Sequence, residues 1–172
     1  MYFIRSMEFA IKEEKEFKYI EEGEGEVLLL LHGLMGALSN WSEVVKEFRG
    51  RYRVIIPVLP LYDLPILSTG VKGLAKFVHR FVQHKNLHDV VLLGNSLGGH
   101  VALIYTINHP EHVKALVLSG SSGLYENSFG GSFPKRESYD FIREKVEFTF
   151  YDPAIATKEL VDDIFAIVND RF

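Results

Sequence analysis

The pentapeptide Gly94-Asn95-Ser96-Leu97-Gly98 decides how this chain is read, because of what stands on either side of it. Before it, Val90-Val91-Leu92-Leu93 is a short, uninterrupted apolar run, the signature of a strand buried on both faces. After it the period changes. Val101, Ile104 and Tyr105 recur at helical spacing up to His109-Pro110, where the residue before proline disfavours continuing the helix. A serine on so sharp a strand-to-helix turn is forced into strained backbone geometry, and small residues two positions to either side keep strand and helix from colliding. Gly94 and Gly98 hold those two positions. The hydroxyl then projects beyond the end of the strand, beside helix N–H groups that can meet developing negative charge.

Outward from this turn, apolar runs alternate with helical periods. Val27-Leu28-Leu29-Leu30-Leu31 reads as a buried strand ending at His32-Gly33. Trp41, Val44, Val45 and Phe48 fall on one helical face, with Ser39 or Asn40 as its N-cap and Gly50 as its stop. Tyr52 to Val58 makes a further strand, and from Gly70 a helix carries Leu74, Phe77, Val78, Phe81 and Val82 on one face. Ala115-Leu116-Val117-Leu118 is one more buried strand. Upstream, Phe9-Ala10-Ile11 and Phe17-Lys18-Tyr19-Ile20 suggest a hairpin joined through Lys12 to Glu16. Alternating strands and helices predict an α/β fold with a mostly parallel sheet flanked by helices. Two helix-like segments, from about Glu137 to Phe148 and from about Thr157, have no strand between them and are expected to leave the sheet as a helical lid. The expected division is a core over residues 1–122 and the start of a lid over 123–172.

Composition narrows the function classes. The 172 residues suffice for one well-buried core, and 47% hydrophobic with 24% charged residues is ordinary for a soluble globular protein. A formal net charge of −4 gives no basic footprint, which argues against nucleic acid and anionic membranes as partners. The chain has no cysteine, so disulfides and thiolate metal sites are excluded. The longest apolar run is too short to span a bilayer, and the first residues lack the order of a signal peptide, so cytoplasm is the expected location.

Two motifs together, His32-Gly33-Leu34-Met35-Gly36 and Gly94-Asn95-Ser96-Leu97-Gly98-Gly99-His100, resemble the oxyanion loop and the nucleophile turn of the α/β-hydrolase superfamily. Within it, the second motif and His109-Pro110-Glu111 resemble esterases and the carbon-carbon bond hydrolases of meta-cleavage pathways. The resemblance implies Ser96 as nucleophile and the backbone N–H groups of Leu34 and Leu97 as the oxyanion hole, with Met35 replacing Leu34 if the loop is shifted by one residue. It implies a serine hydrolase acting on a small apolar ester or related carbonyl substrate, with a carbon-carbon hydrolase or a non-catalytic scaffold as alternatives. Aspartate-nucleophile relatives are excluded by Ser96.

The other polar residues read more plainly. Asn40 either lines the pocket or caps its helix, and Trp41 either lines the pocket or packs in the core. His32 precedes the nucleophile, against the superfamily order, so a loop-shaping role is expected. His100 belongs to helix surface or packing, His109 and His112 to the helix end, and His79, His84 and His88 show no metal-ligand spacing. No metal and no cofactor is expected. Ser119, Ser121 and Ser122 read as loop residues. The superfamily's acid and histidine follow later strands, whereas Asp140, Asp152, Asp162 and Asp163 fall on the lid-like segments and no histidine follows His112. The chain therefore reads as the amino-terminal portion of a longer hydrolase, nearly inactive by itself. Its exposed sheet edge would favour self-association or a complementing C-terminal fragment.

Overall fold

A computed structural model describes residues 9–33, 38–61, 70–124 and 137–169. The sheet of the described residues has six strands: β1 (Lys12–Glu14), β2 (Phe17–Glu22), β3 (Glu26–Leu31), β4 (Tyr52–Pro57), β5 (Val90–Asn95) and β6 (Val113–Ser119). Their spatial order is β1-β2-β4-β3-β5-β6. β1 and β2 are antiparallel, as are β2 and β4, while β4, β3, β5 and β6 run parallel. The parallel part requires crossovers. Helices α1 (Ser42–Phe48), α2 (Val71–His84) and α3 (Leu97–Asn108) supply them. This is the mostly parallel, helix-flanked α/β sheet that the sequence predicts.

The apolar run of β3 explains the layering. Successive strand residues point to opposite faces, so a strand covered on both sides must be apolar throughout. Leu28 and Leu30 enter a core with Trp41, Val45, Val54 and Ile56, on the side of α1. Leu29 and Leu31 enter the opposite core with Leu74, Phe81, Val101 and Tyr105, on the side of α2 and α3. Trp41 is buried and packs in the core on the side of α1.

Three details depart from the sequence reading. The hairpin's first strand is the charged Lys12–Glu14 rather than Phe9 to Ile11. Lys12 pairs with Tyr19 and Glu14 with Phe17 around a turn in which Lys15 takes φ 55°. β1 is an exposed edge strand, so backbone pairing alone selects it and no hydrophobic pattern marks it. Before α1 the chain makes a 3-10 turn over Leu38–Trp41, and α1 has Trp41 at its N-cap with no side-chain cap bond. Asn40 is exposed within that turn and does not cap α1. β6 stands at the sheet edge, with Val117 45% exposed.

The chain divides into two compact units, with the boundary between residues 125 and 126. In the second, α4 (Tyr139–Thr149) and α5 (Lys158–Asn169) contact each other. The Ser138 hydroxyl accepts from Phe141 N at the start of α4, and the Tyr139 and Phe165 rings meet with centroids 5.4 Å apart. Tyr139 Oη donates to Asp162 Oδ1 at 2.6 Å.

Candidate active site

β5 ends at Asn95, α3 begins at Leu97, and Ser96 alone makes the turn between them. Its backbone has φ 53° and ψ −122°, a conformation that L residues avoid and that persists only where surroundings enforce it. The enforcing contacts are specific. Ser96 N donates to Ser119 O at 3.1 Å, and Ser96 O accepts from Gly99 N at 3.0 Å and Ser122 N at 3.3 Å. Asn95 Nδ2 also donates to Ser119 O, at 3.0 Å, so the carbonyl at the end of β6 clamps both residues. A Cβ on Gly94 would lie 2.5 Å from Gly98 O, and one on Gly98 would lie 2.6 Å from His32 O. Both glycines are therefore required by the close crossing of α3 over the strand ends. Ser96 itself is exposed above them.

The oxyanion loop approaches from β3. A Cβ on Gly33 would stand 3.0 Å from Ser96 Cβ and 3.4 Å from Ser96 Oγ, so the two motifs meet in space. Leu97 is the first residue of α3, and its N–H is among those that no intrahelical carbonyl reaches. Leu34 and Met35 lie outside the described residues. The approach of Gly33 is what an oxyanion loop beside the nucleophile turn requires, whereas the clamp at Ser119 was not predicted, since it depends on a strand distant in sequence.

His32 is buried, at 5% exposure, and is occupied on both nitrogens. Nε2 accepts from Leu59 N–H at 2.9 Å, which leaves the proton on Nδ1, 3.0 Å from Gly33 O. Burial pushes its pKa below the usual histidine range, against the opposing bond to the Gly33 carbonyl. His32 thus ties the end of β3 to the exit of β4, as a loop-shaping residue would. His100, one turn along α3, packs its ring onto Gly123. Ser121 Oγ donates to Ser122 O at 2.7 Å. In the second unit, Asp140 pairs with Arg143, Asp152 accepts from Ala154 N, and Asp162 accepts from Tyr139 and Lys158.

A strained serine between strand and helix, with a glycine loop against it, defines a class of protein. The chain belongs to the alpha/beta hydrolase fold family, whose sequence model matches residues 26–158. It is 32% identical over 168 residues to the 2-hydroxy-6-oxo-6-(2'-aminophenyl)hexa-2,4-dienoic acid hydrolase of Metapseudomonas resinovorans, covering 91% of this chain and 55% of that protein. It is 31% identical over 167 residues to the 2-hydroxymuconate semialdehyde hydrolase of Pseudomonas sp. strain CF600, covering 88% of this chain and 53% of that protein. Among solved structures, an alpha/beta hydrolase enzyme from the metagenome of lagoon sediments at Mar Chica, Morocco, superposes with a TM-score of 0.71 and 40% identity, over 94% of this chain and 59% of that one. The chain spans about half the length of the curated relatives it matches. No helix of the described residues is long and apolar enough to cross a membrane.

Proposed function

We propose that this chain carries the nucleophile of a serine hydrolase acting on a small apolar ester or related carbonyl substrate. The observation that carries the reading is the strained Ser96 turn with Gly33 against it. Ser96 Oγ attacks the carbonyl carbon as its proton passes to a base, and the carbonyl oxygen becomes an oxyanion held by the N–H groups of Leu97 and Leu34. Donors fixed in advance need not reorganise as charge develops, and losing one typically costs about 3 kcal/mol. Collapse expels the leaving group and forms an acyl-enzyme, which water hydrolyses.

The base is not one of this chain's histidines. His32 is engaged on both nitrogens, and His100 is turned onto Gly123. His84 pairs with Glu14, His88 with Asn86, and His79, His109 and His112 gather at the far end of α3. In the proposed enzyme a histidine and its acid come from outside these 172 residues, and the isolated chain is nearly inactive. A segment pairing with the exposed edge of β6, or a second copy of the chain, would cover that edge. α4 and α5 would belong to the start of a helical lid, and Asn40 would border the substrate. The setting would be cytoplasmic.

A second reading is a carbon-carbon bond hydrolase, favoured by the dienoate and semialdehyde hydrolases among the relatives above 30% identity. Initial rates on p-nitrophenyl butyrate and on a 2-hydroxy-6-oxo-hexa-2,4-dienoate, measured with the protein expressed from its complete reading frame, separate the two. Ester turnover abolished by Ser96→Ala supports the first reading. Preference for the dienoate moves the assignment to the second, and turnover of neither points to a scaffold.

A further inference from the structure

We propose that His79, His109 and His112, with Glu111 as a fourth donor, form a binding site for a borderline divalent cation such as Zn2+. It lies at the opposite end of α3 from Ser96, about 18 Å away for a helix of this length. Twenty-nine residues, including β5 and α3, separate His79 from His109, so sequence spacing gives no hint of the site. The fold creates it. α2 packs against α3, Pro110 stops α3 and opens a 3-10 turn over Pro110–His112, and the turn brings His112 back beneath Tyr105.

The three imidazoles each offer a nitrogen, and these donor atoms lie within 4.8 Å of one another. His79 and His109 stack with ring centroids 3.8 Å apart, and His112 lies 5.9 Å from His79. His79 Nδ1 is buried and has no hydrogen-bond partner among the described residues. An unpartnered buried nitrogen is unusual, and a nitrogen lone pair beside two further imidazoles suits a metal ion. His112 Nδ1 is 2.9 Å from Tyr105 Oη. With the tyrosine oxygen accepting, Nδ1 carries the proton and Nε2 keeps its lone pair, the way a second contact commonly fixes the tautomer of a ligating histidine. Glu111 Oε1 stands 3.7 Å from His109 Nδ1 and 3.9 Å from His112 Nε2, where it can complete the donor set and neutralise charge.

Three nitrogens and one carboxylate oxygen match the ligands of tetrahedral Zn2+ and its borderline neighbours. Tetrahedral nitrogens about 2.1 Å from a metal are about 3.4 Å apart, so binding draws the rings inward and opens the parallel stack. A groove of about 590 Å³, lined by Lys76, His79, Tyr105, Asn108 and His109 among others, gives the ion a path. Bound there, it would pin the end of α3 to α2 and raise stability by mass action.

The test uses untagged protein freed of metal, titrated with Co2+ and then Zn2+. One Co2+ per chain, with visible absorption bands of nitrogen coordination that one Zn2+ abolishes, is the expected result. His79→Ala and His109→Gln should each weaken binding at least about ten-fold, while His84→Ala, on the same helix, should leave it unchanged. Absence of saturable Co2+ binding by the wild-type chain overturns the proposal whether or not any variant folds. Equal affinity in His79→Ala, with circular dichroism unchanged, overturns it also.

Discussion

Gly33 and Ser96 touch: a methyl group on Gly33 would come 3.0 Å from Ser96 Cβ and 3.4 Å from its hydroxyl oxygen. One residue opens the loop after β3, the other turns β5 into α3, and 62 residues separate them in sequence. Gly33→Ala is therefore expected to displace the Ser96 hydroxyl or the loop by a few tenths of an ångström without unfolding the sheet. Misplacement near a reacting atom is costly, up to about 100-fold for 1 Å. Serine-directed labelling should slow by about ten-fold or more, with circular dichroism unchanged.

The strain at Ser96 makes a separable prediction. Its φ of 53° is open to glycine without penalty, whereas alanine shares the serine's difficulty. Ser96→Gly should stabilise the chain by about 1 kcal/mol relative to Ser96→Ala, although both remove the nucleophile. Urea unfolding of the two variants checks it, and equal midpoints would count against stored strain.

Gly98 is the position where α3 crosses closest to the strand ends, with a Cβ there 2.5 Å from the Leu31 carbonyl carbon. The obstacle is backbone and cannot rotate aside. Gly98→Ala should cost about 3 kcal/mol, at the high end for overpacking, because helix and sheet must separate. Chemical denaturation measures that loss directly.

His32 links stability to pH. Burial holds its folded pKa below the usual histidine value of 6.5, so the unfolded chain binds its proton more readily. The stabilisation from neutral His32 is complete above about pH 6.5 and is lost as pH falls towards the folded pKa. His32→Phe leaves Leu59 N–H without its acceptor, which should cost about 1 to 3 kcal/mol near pH 7.5. It should also shrink the stability difference between pH 7.5 and pH 5.

Much of this was legible from local pattern. The runs Val27 to Leu31 and Val90 to Leu93 became β3 and β5 because strands covered on both faces must be apolar throughout. Helices α2 and α3 followed from their periods and from the stop at His109-Pro110. The glycines around Ser96 were legible because the motif is contiguous. What escaped depends on tertiary contact. β1 carries three exposed charged residues and is a strand only because β2 pairs with it. The 3-10 turn before α1 displaces Asn40 from the cap position. The clamp at Ser119 O and the gathering of His79, His109 and His112 join residues from different elements, and no local spacing records such meetings.

The central claim is that Ser96 is a nucleophile held in position to attack a carbonyl. The most direct measurement is fluorophosphonate labelling of the protein expressed from its complete reading frame, followed by peptide mass spectrometry, with Ser96→Ala alongside. The account predicts one adduct on the peptide containing Ser96 and none in the folded variant. A folded wild-type protein that takes up no label, or a label that survives Ser96→Ala, would contradict it.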